Sequence, residues 1–361
     1  MGTLGRKLRN KVLRMALGGD LYRRLTGGGG EPKNGNPDGK MQKIDWSMNN
    51  FGITDKNIGY DGKFYIIRPL PNRPAGLFSW FHFVLSHIIF AVENGWTPMV
   101  DMKNYRTLAN EDHPVNGTMN YWEYYFEQPA NYDLLGCYFS ENVVLSDTEM
   151  LAQYVPFPFT YYRNTALIAK LHAYITEYMK FKREVIVRID EYQQKKFGDK
   201  KNIMAVMVRS GKVYQRVHHN IMPDNQVVID KVRQLLAEWR MEWIFLSIDF
   251  AEGVDEFRRA FGDKLIVIER ARLTYDYLAK ILSSPQEFLK YREAPLGMEG
   301  VENARYTADL LYLIEVVLAS RCDALAASLA NGAAAAVELN GNQYRHTFFF
   351  DEGKQPVASS R

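Results

Sequence analysis

Six consecutive apolar residues, Ile203-Met204-Ala205-Val206-Met207-Val208, run straight into an arginine, Arg209. A half-exposed strand alternates apolar and polar side chains. An unbroken apolar run of this length fits a strand covered on both faces, and such strands belong to parallel sheets with helices on either side. The rest of the chain agrees. Phe64-Tyr65-Ile66-Ile67 reads as a strand, Leu77 to Asn94 as an amphipathic helix stopping near Gly95, Thr97 to Met102 as the next strand and Val143-Val144-Leu145 as a third. Residues 160–195 carry a long helical pattern without a strand signal. Beyond residue 208 the alternation resumes. Val228, Val232, Leu235 and Trp239 share a helix face behind a candidate cap at Asp224. There follow a strand from Trp243 to Ser247, a short helix marked by Val254, Phe257 and Phe261, and a strand from Leu265 to Ile268. An apolar helix from Tyr306 to Ser320, a strand from Ala324 to Ala327 and an Ala-rich helix from about Gly332 complete the pattern. Two blocks of strand–helix–strand alternation around a helical connection predict an α/β chain with two facing Rossmann-like domains.

Composition sets the segment boundaries. Residues 1–26 hold seven basic groups and one acid, a net +6 against +3 for the whole chain, which leaves the body near −3. Leu4, Leu8, Val12 and Met15 recur among those bases at helical spacing. This composition suits a basic amphipathic helix lying on an anionic membrane surface; it suits a frayed, solvated terminus equally well. TGGGGEPKNGNPDGK, from Thr26 to Lys40, has the composition of a linker. The organisation expected is therefore a basic segment over 1–26, a flexible linker over 27–45, a first α/β domain with the helical connection over 46–198 and a second α/β domain over 199–361. The acidic body argues against a nucleic-acid partner. No run is long enough to span a bilayer, and the first residues lack the apolar core of a secretory leader. Cys137 and Cys322 are too few for a disulfide framework. A cytoplasmic protein is expected, peripheral at the inner face of the cell membrane if residues 1–26 bind there. Aromatic residues make up 13% of the chain, and Tyr and Trp serve carbohydrate clefts and large cores alike.

Ligands of open α/β sheets bind beyond the carboxyl ends of the strands. That rule brings together Arg209, Asp249 at the end of FLSIDF, and Ser328, each directly after or at the end of a strand in the second half. The arginine fork matches phosphate oxygens, and pairing with a carboxylate at a sheet edge is its ordinary alternative. Lys212, His218 and His219 add donors in the loop that follows. Ser328 and Asn331, in SLANGAAAAVELN, stand where a helix of small residues begins, placed to cap it or to meet an anion there. Asp249 is placed to accept from a ribose hydroxyl or a base, to hold Arg209, or to cap the next helix. The chain contains no Asp-x-Asp, no His/Cys cluster at metal-ligand spacing, no dinucleotide-binding GxGxxG after a strand and no GxSxG. No metal is expected, and a leaving diphosphate would have to be met by Arg, Lys and a helix N-terminus.

Several segments, in order, carry a family likeness: RPAGLFSWFHFVLSHIIFAVENGWTPMVDMKNY (73–105), NYWEYYFEQP (120–129), AVMVRSGKVY (205–214), IFLSID (244–249), FGDKLI (261–266) and LASRCDALAASLANGAA (318–334). Over about residues 60–355 the chain resembles bacterial surface-polysaccharide glycosyltransferases and is similar to the fucosyltransferase-like superfamily of nodulation α1,6-fucosyltransferases and protein O-fucosyltransferases. The resemblance implies a GT-B-like fold. It implies a nucleotide-sugar donor of the GDP-fucose type in the domain over 199–361, and a glycan or lipid-linked acceptor toward the domain over 46–198. It also implies inversion at the anomeric carbon and no cofactor or metal. Arg209 would contact the donor diphosphate, with Asp249, Ser328 and Asn331 as further donor-binding residues; Lys212, His218 and His219 join the donor-binding set from their place in the loop alone. The family usually continues its Arg as Gly-Thr-Asp-Tyr or Arg-Thr-Asp; here it continues Ser210-Gly211-Lys212-Val213-Tyr214. Its Ser/Thr-rich turn has become Leu329-Ala330-Asn331-Gly332-Ala333.

For the base that takes the acceptor proton the candidates are Asp101, at a strand end and preferred, then His82, His113, Glu123 and Glu127. His82 and His87 sit in an apolar helix, where a satisfied core histidine is the usual case. Tyr121, Trp122, Tyr124 and Tyr125 offer a sugar platform, though at their spacing some must be core. Two rival classes remain. One is a catalytically inactive relative that binds a ligand or partner. The other is a sulfo- or phosphotransferase, which would call for a P-loop that the chain lacks.

Overall fold

The computed structural model describes residues 59–71, 73, 75–157, 159–209, 220–277, 280, 298 and 300–353, with the backbone of Gln42 and Lys43. The chain divides into two units, Met1–Val155 with Tyr174–Lys182, and Pro156–Ala173 with Arg183–Arg361.

The first unit holds a sheet of β1 (Gln42–Lys43), β2 (Lys63–Ile67), β3 (Thr97–Val100) and β4 (Asn142–Leu145), in the order β1-β4-β2-β3. β2 pairs in parallel with both β3 and β4, with Phe64 opposite Thr97 and also opposite Val143. β1 pairs antiparallel with β4, so the linker expected over 27–45 contains a short strand at Gln42–Lys43. Helix α1 (Leu77–Glu93) connects β2 to β3 and is buried on almost every side, including Phe78, Phe81, Val84, Leu85, Ile88 and Ile89. It is a core helix, where the sequence suggested an amphipathic one. It stops where Gly95 takes a positive φ of 71°, which glycine adopts without strain. The six-residue α2 (Leu134–Phe139), which gave no periodic signal, starts where the Asp133 carboxylate accepts from the Gly136 amide at 2.8 Å.

The helical region over 160–195 is two helices, α3 (Thr165–Tyr178) and α4 (Arg183–Lys196). The boundary expected at 198/199 moves: Pro156–Ala173 and everything from Arg183 belong to the second unit. Contacts explain this. The Tyr161 hydroxyl bonds Glu338, His172 Nδ1 lies 2.8 Å from the Glu338 carbonyl, and Arg321 pairs with Asp190 at 3.0 Å.

The second unit is built on five parallel strands: β5 (Ile203–Val208), β6 (Trp243–Ile248), β7 (Leu265–Val267), β8 (Ala324–Ser328) and β9 (His346–Phe350). Their order is β7-β6-β5-β8-β9. β9 escaped the sequence reading because it is an edge strand that begins with two exposed residues, His346 and Thr347. The period of two sorts the side chains. Met204, Val206, Val208, Ile244, Leu246, Ile248, Ala324 and Ala326 form one apolar cluster with α5 (Asn225–Glu238) and α6 (Ala251–Phe261), through Val228, Val232, Leu235, Val254 and Phe257. The alternate positions include Phe245, in ring contact with Phe197, and Ser247, bonded to α7 (Ala304–Ser320). Both faces are covered, as the unbroken run 203–208 required. Helix α8 (Asn331–Asn340) follows β8.

Inside the first unit, the fully buried His87 ring is held at both nitrogens: Nδ1 lies 2.8 Å from the Tyr65 hydroxyl and Nε2 lies 2.9 Å from the Glu149 carbonyl. A neutral ring with its proton on Nε2 satisfies both. Burial lowers its pKa to about 4, below the usual value of about 6.5 that the unfolded chain keeps. The unfolded chain therefore binds the proton first. The stabilisation is whole above about pH 6.5 and is lost as the pH falls toward 4, on the order of 3 kcal/mol in all. The unfolding temperature should drop across that window, and His87→Gln should remove this part of the slope; an equal slope in the variant would overturn the assignment.

Candidate functional site

The second sheet grows outward from β5 through β6 and β7, then crosses to the other side of β5 for β8 and β9. In open α/β sheets of this kind the ligand crevice lies at the carboxyl ends of the two strands where the order switches, here β5 and β8. Arg209 directly follows β5 and Ser328 ends β8. The Arg209 amide donates to Ser328 Oγ at 3.3 Å, which ties the two strand ends together. Helix α8 begins three residues after Ser328, with Ala330 at its cap position and no side-chain cap. Its first-turn N–H groups thus stand at the crevice with the positive end of the helix dipole.

A buried charge network lies beside this crevice. Arg209 Nε is 3.2 Å from Asp249 Oδ2, and both side chains are partly exposed. Arg270 approaches the other Asp249 oxygen at 3.9 Å and places its Nε 3.0 Å from Glu315 Oε1, an ion pair without hydrogen-bond alignment. Arg272 meets the same Glu315 oxygen at 2.7 Å and also donates to the carbonyls of Ile248 and Ile268, each at 3.0 Å. Glu315 is fully buried, and its second oxygen accepts from Ser247 Oγ at 2.9 Å. Burial works against the charge on Arg270, yet Glu315 raises its pKa; burial lowers that of Arg272, with Glu315 opposing. Both remain cations. Three guanidiniums face two carboxylates. The Tyr312 ring lies under Arg270, 5.5 Å from centroid to Cζ, and burial, then Asp249, push its hydroxyl pKa up.

The structure thus brings Arg209, Asp249, Ser328 and Asn331 to one end of one sheet. Asp249 holds Arg209 and does not cap α6, whose cap position is Phe250. Lys212, His218 and His219 lie outside the described residues. Arg270, Arg272, Glu315 and Tyr312 went unnoticed, although two signals were available. ERARLTYD follows a strand just as Arg209 does, and Glu315 is the one acid in the apolar stretch LLYLIEVVLAS.

The first unit corrects the preferred base. Asp101 has no exposure. Its Oδ1 accepts from the Lys103 and Asn104 amides at 3.1 and 2.8 Å, and its Oδ2 from Asn104 Nδ2 at 2.8 Å and the Tyr138 hydroxyl at 2.6 Å. Burial raises its pKa against these four donors. It holds the loop after β3 and is not presented to an acceptor. Glu123 is likewise occupied, by Thr118, Asn120 and Gln128. His82 is buried, while His113 and Glu127 are exposed. Tyr121, Trp122, Tyr124 and Tyr125 are all core residues, not a sugar platform. Among the described residues no group of three His, Cys, Asp or Glu could hold a metal, and no helix is long and apolar enough to cross a membrane.

No family model matches the sequence, and no curated protein matches it. Among solved structures, the chain is similar to NodZ α1,6-fucosyltransferase soaked with GDP-fucose, at 14% identity and a TM-score of 0.44, covering 77% of this chain and 92% of that one. It is similar to fucosyltransferase NodZ from Bradyrhizobium at 14% identity and a TM-score of 0.44, covering 78% and 93%. It is also similar to POFUT1 in complex with GDP-fucose, at 9% identity and a TM-score of 0.44, covering 81% and 99%. Likenesses at this level leave the architecture to rest on the strand pairing itself.

The start of α8 is packed against the site through Gly332. A methyl group there would collide with the Tyr312 hydroxyl and lie 3.2 Å from the ring Cζ. Gly332→Ala should destabilise the second unit by roughly 1–3 kcal/mol through overpacking, seen as a fall in unfolding temperature. Adding Tyr312→Phe should restore most of the loss. Additive losses would show that Tyr312 is not the contact.

Proposed function

We propose that this chain is an inverting, metal-independent glycosyltransferase that uses a nucleoside diphosphate sugar. The observation that carries this reading is the switch point itself: Arg209 and Ser328 at adjacent strand ends, next to an uncapped helix N-terminus and backed by Arg270 and Arg272. Fixed cations and the positive end of a helix dipole are what a departing diphosphate requires. In the reaction an acceptor hydroxyl attacks the anomeric carbon. The bond from that carbon to the diphosphate breaks, the electron pair leaves with the diphosphate, and the hydroxyl proton passes to a base. Arg209 and the α8 start would stabilise the charge that develops, a contribution of roughly two to three orders of magnitude in rate.

The donor, fucose or a related sugar carried on GDP, and the glycan or lipid-linked acceptor come from the sequence resemblance. A cytoplasmic enzyme of surface-polysaccharide biosynthesis, peripheral at the inner face of the membrane through residues 1–26, fits a lipid-linked acceptor. A second reading, an inactive nucleotide-binding relative, is favoured by one observation: the preferred base, Asp101, is closed off by four donors.

Titration with GDP, UDP, CMP and dTDP, without added metal, should show one nucleotide binding, with GDP expected. Arg209→Ala should weaken it roughly 10- to 100-fold, the worth of one charged hydrogen-bonding partner. Binding of none would overturn the donor-site reading, and binding without transfer from the matching sugar nucleotide would establish the inactive one. Deleting residues 1–26 should release the protein from anionic liposomes; undiminished binding would remove the membrane proposal.

A further inference from the structure

The first unit repeats the switch-point device of the second. β2 is flanked by β3, its next strand in the parallel set, and on the other side by β4. The order of strands therefore switches sides between β2 and β4, as it does between β5 and β8. An arginine, Arg68, directly follows β2, and its amide donates to Oγ of Ser146, the residue that follows β4, at 2.9 Å. Arg209 and Ser328 make the same contact at 3.3 Å. Two unlike sequences thus put a guanidinium at a crevice by the same means.

The surroundings of Arg68 differ from those of Arg209 in one respect. Arg209 has Asp249. Arg68 has no carboxylate within ion-pair distance among the described residues, and the acids at these strand ends are engaged elsewhere. Asp101 is taken by four donors, Asp147 accepts the amide of Glu149 at 3.2 Å, and Glu149 pairs with Arg73 at 2.9 Å. Arg68 is part-buried, its Nε is buried without a hydrogen-bond partner, and its guanidinium lies over the Tyr105 ring at 5.1 Å. The neighbouring Asn104 is 6% exposed and leaves its Oδ1 without a partner. A buried donor without an acceptor is costly unless something supplies one. A guanidinium over an aromatic ring keeps its charge, and its N–H fork matches a planar or tetrahedral oxyanion.

We propose that Arg68 marks a second oxyanion site, in the first unit, that reads a carboxylate or phosphate group. Resting on the transferase reading, that group belongs to the acceptor: the carboxylate of an acidic sugar or the phosphate of a lipid-linked one.

The test is a titration of the full chain with inorganic phosphate, glucuronate and glucose, followed on the arginine Nε–H resonances by NMR. The Arg68 resonance is the one missing from Arg68→Gln. It should shift saturably with at least one of the two anions and not with glucose. Phosphate alone would name a phosphate-bearing acceptor, glucuronate alone an acidic sugar, and both would name the oxyanion as what is read. No saturable shift with either anion, or an equal shift with glucose, overturns the site. GDP binding separates the two readings. Arg68→Gln should leave it within about twofold while Arg209→Ala weakens it roughly 10- to 100-fold, so failed GDP binding strikes the donor site and leaves the Arg68 titration to stand or fall alone.

Discussion

The ligand end of the second sheet depends on one buried carboxylate. Glu315 has no exposure and sits in a helix whose neighbouring residues are apolar. A lone charge there would cost several kcal/mol, so it must be paired and hydrogen-bonded to persist. Its partners come from two other elements: Ser247 from β6, and Arg270 and Arg272 from the loop after β7. Arg272 in turn donates to the carbonyls of Ile248 and Ile268, at and just past the ends of β6 and β7, and to that of Arg270. One carboxylate therefore ties α7, β6 and the β7 loop into a single unit and sets where two of the three cations stand.

The two sheets use the carboxylates at their carboxyl ends in different ways. In the second, cations outnumber carboxylates, and the excess faces a crevice with a helix N-terminus. In the first, Asp101 is turned inward and consumed by Lys103 and Asn104 of its own loop and by Tyr138 of α2. The strand-end rule identifies positions; it does not say whether a side chain at such a position looks out or in. At Asp101 the deciding fact is local: the chain turns back at once, so its own amides are the nearest donors.

The fold was legible where periodicity is strong. The run 203–208 demanded two covered faces, and the alternation of Met204, Val206 and Val208 against Ala205 and Met207 satisfies it. It was illegible where elements are short or flanked by polar residues, as at α2 and β9. The domain boundary was misplaced because helical periodicity tells which face of α4 is buried and not which unit covers it. Of the candidate site, Arg209, Asp249 and Ser328 could be found because each follows or ends a strong strand. Arg270 and Arg272 follow a three-residue strand, and their counter-ion is 43 residues further on from Arg272. Only the fold brings them together.

The Arg209–Asp249 pair bears on how such a site could work. A carboxylate beside Arg209 looks at first like a competitor for an anionic ligand. A guanidinium has five N–H donors, and one carboxylate meets at most two of them. Asp249 takes the Nε edge, which orients the planar group. Arg270, reaching Asp249 from the other side, keeps the local charge positive. Ordering a long flexible side chain before the ligand arrives lowers the entropy lost on binding. The carboxylates here act as the scaffold that makes three arginines compatible with a folded sheet end, and the net cation that remains is what an anionic ligand would meet.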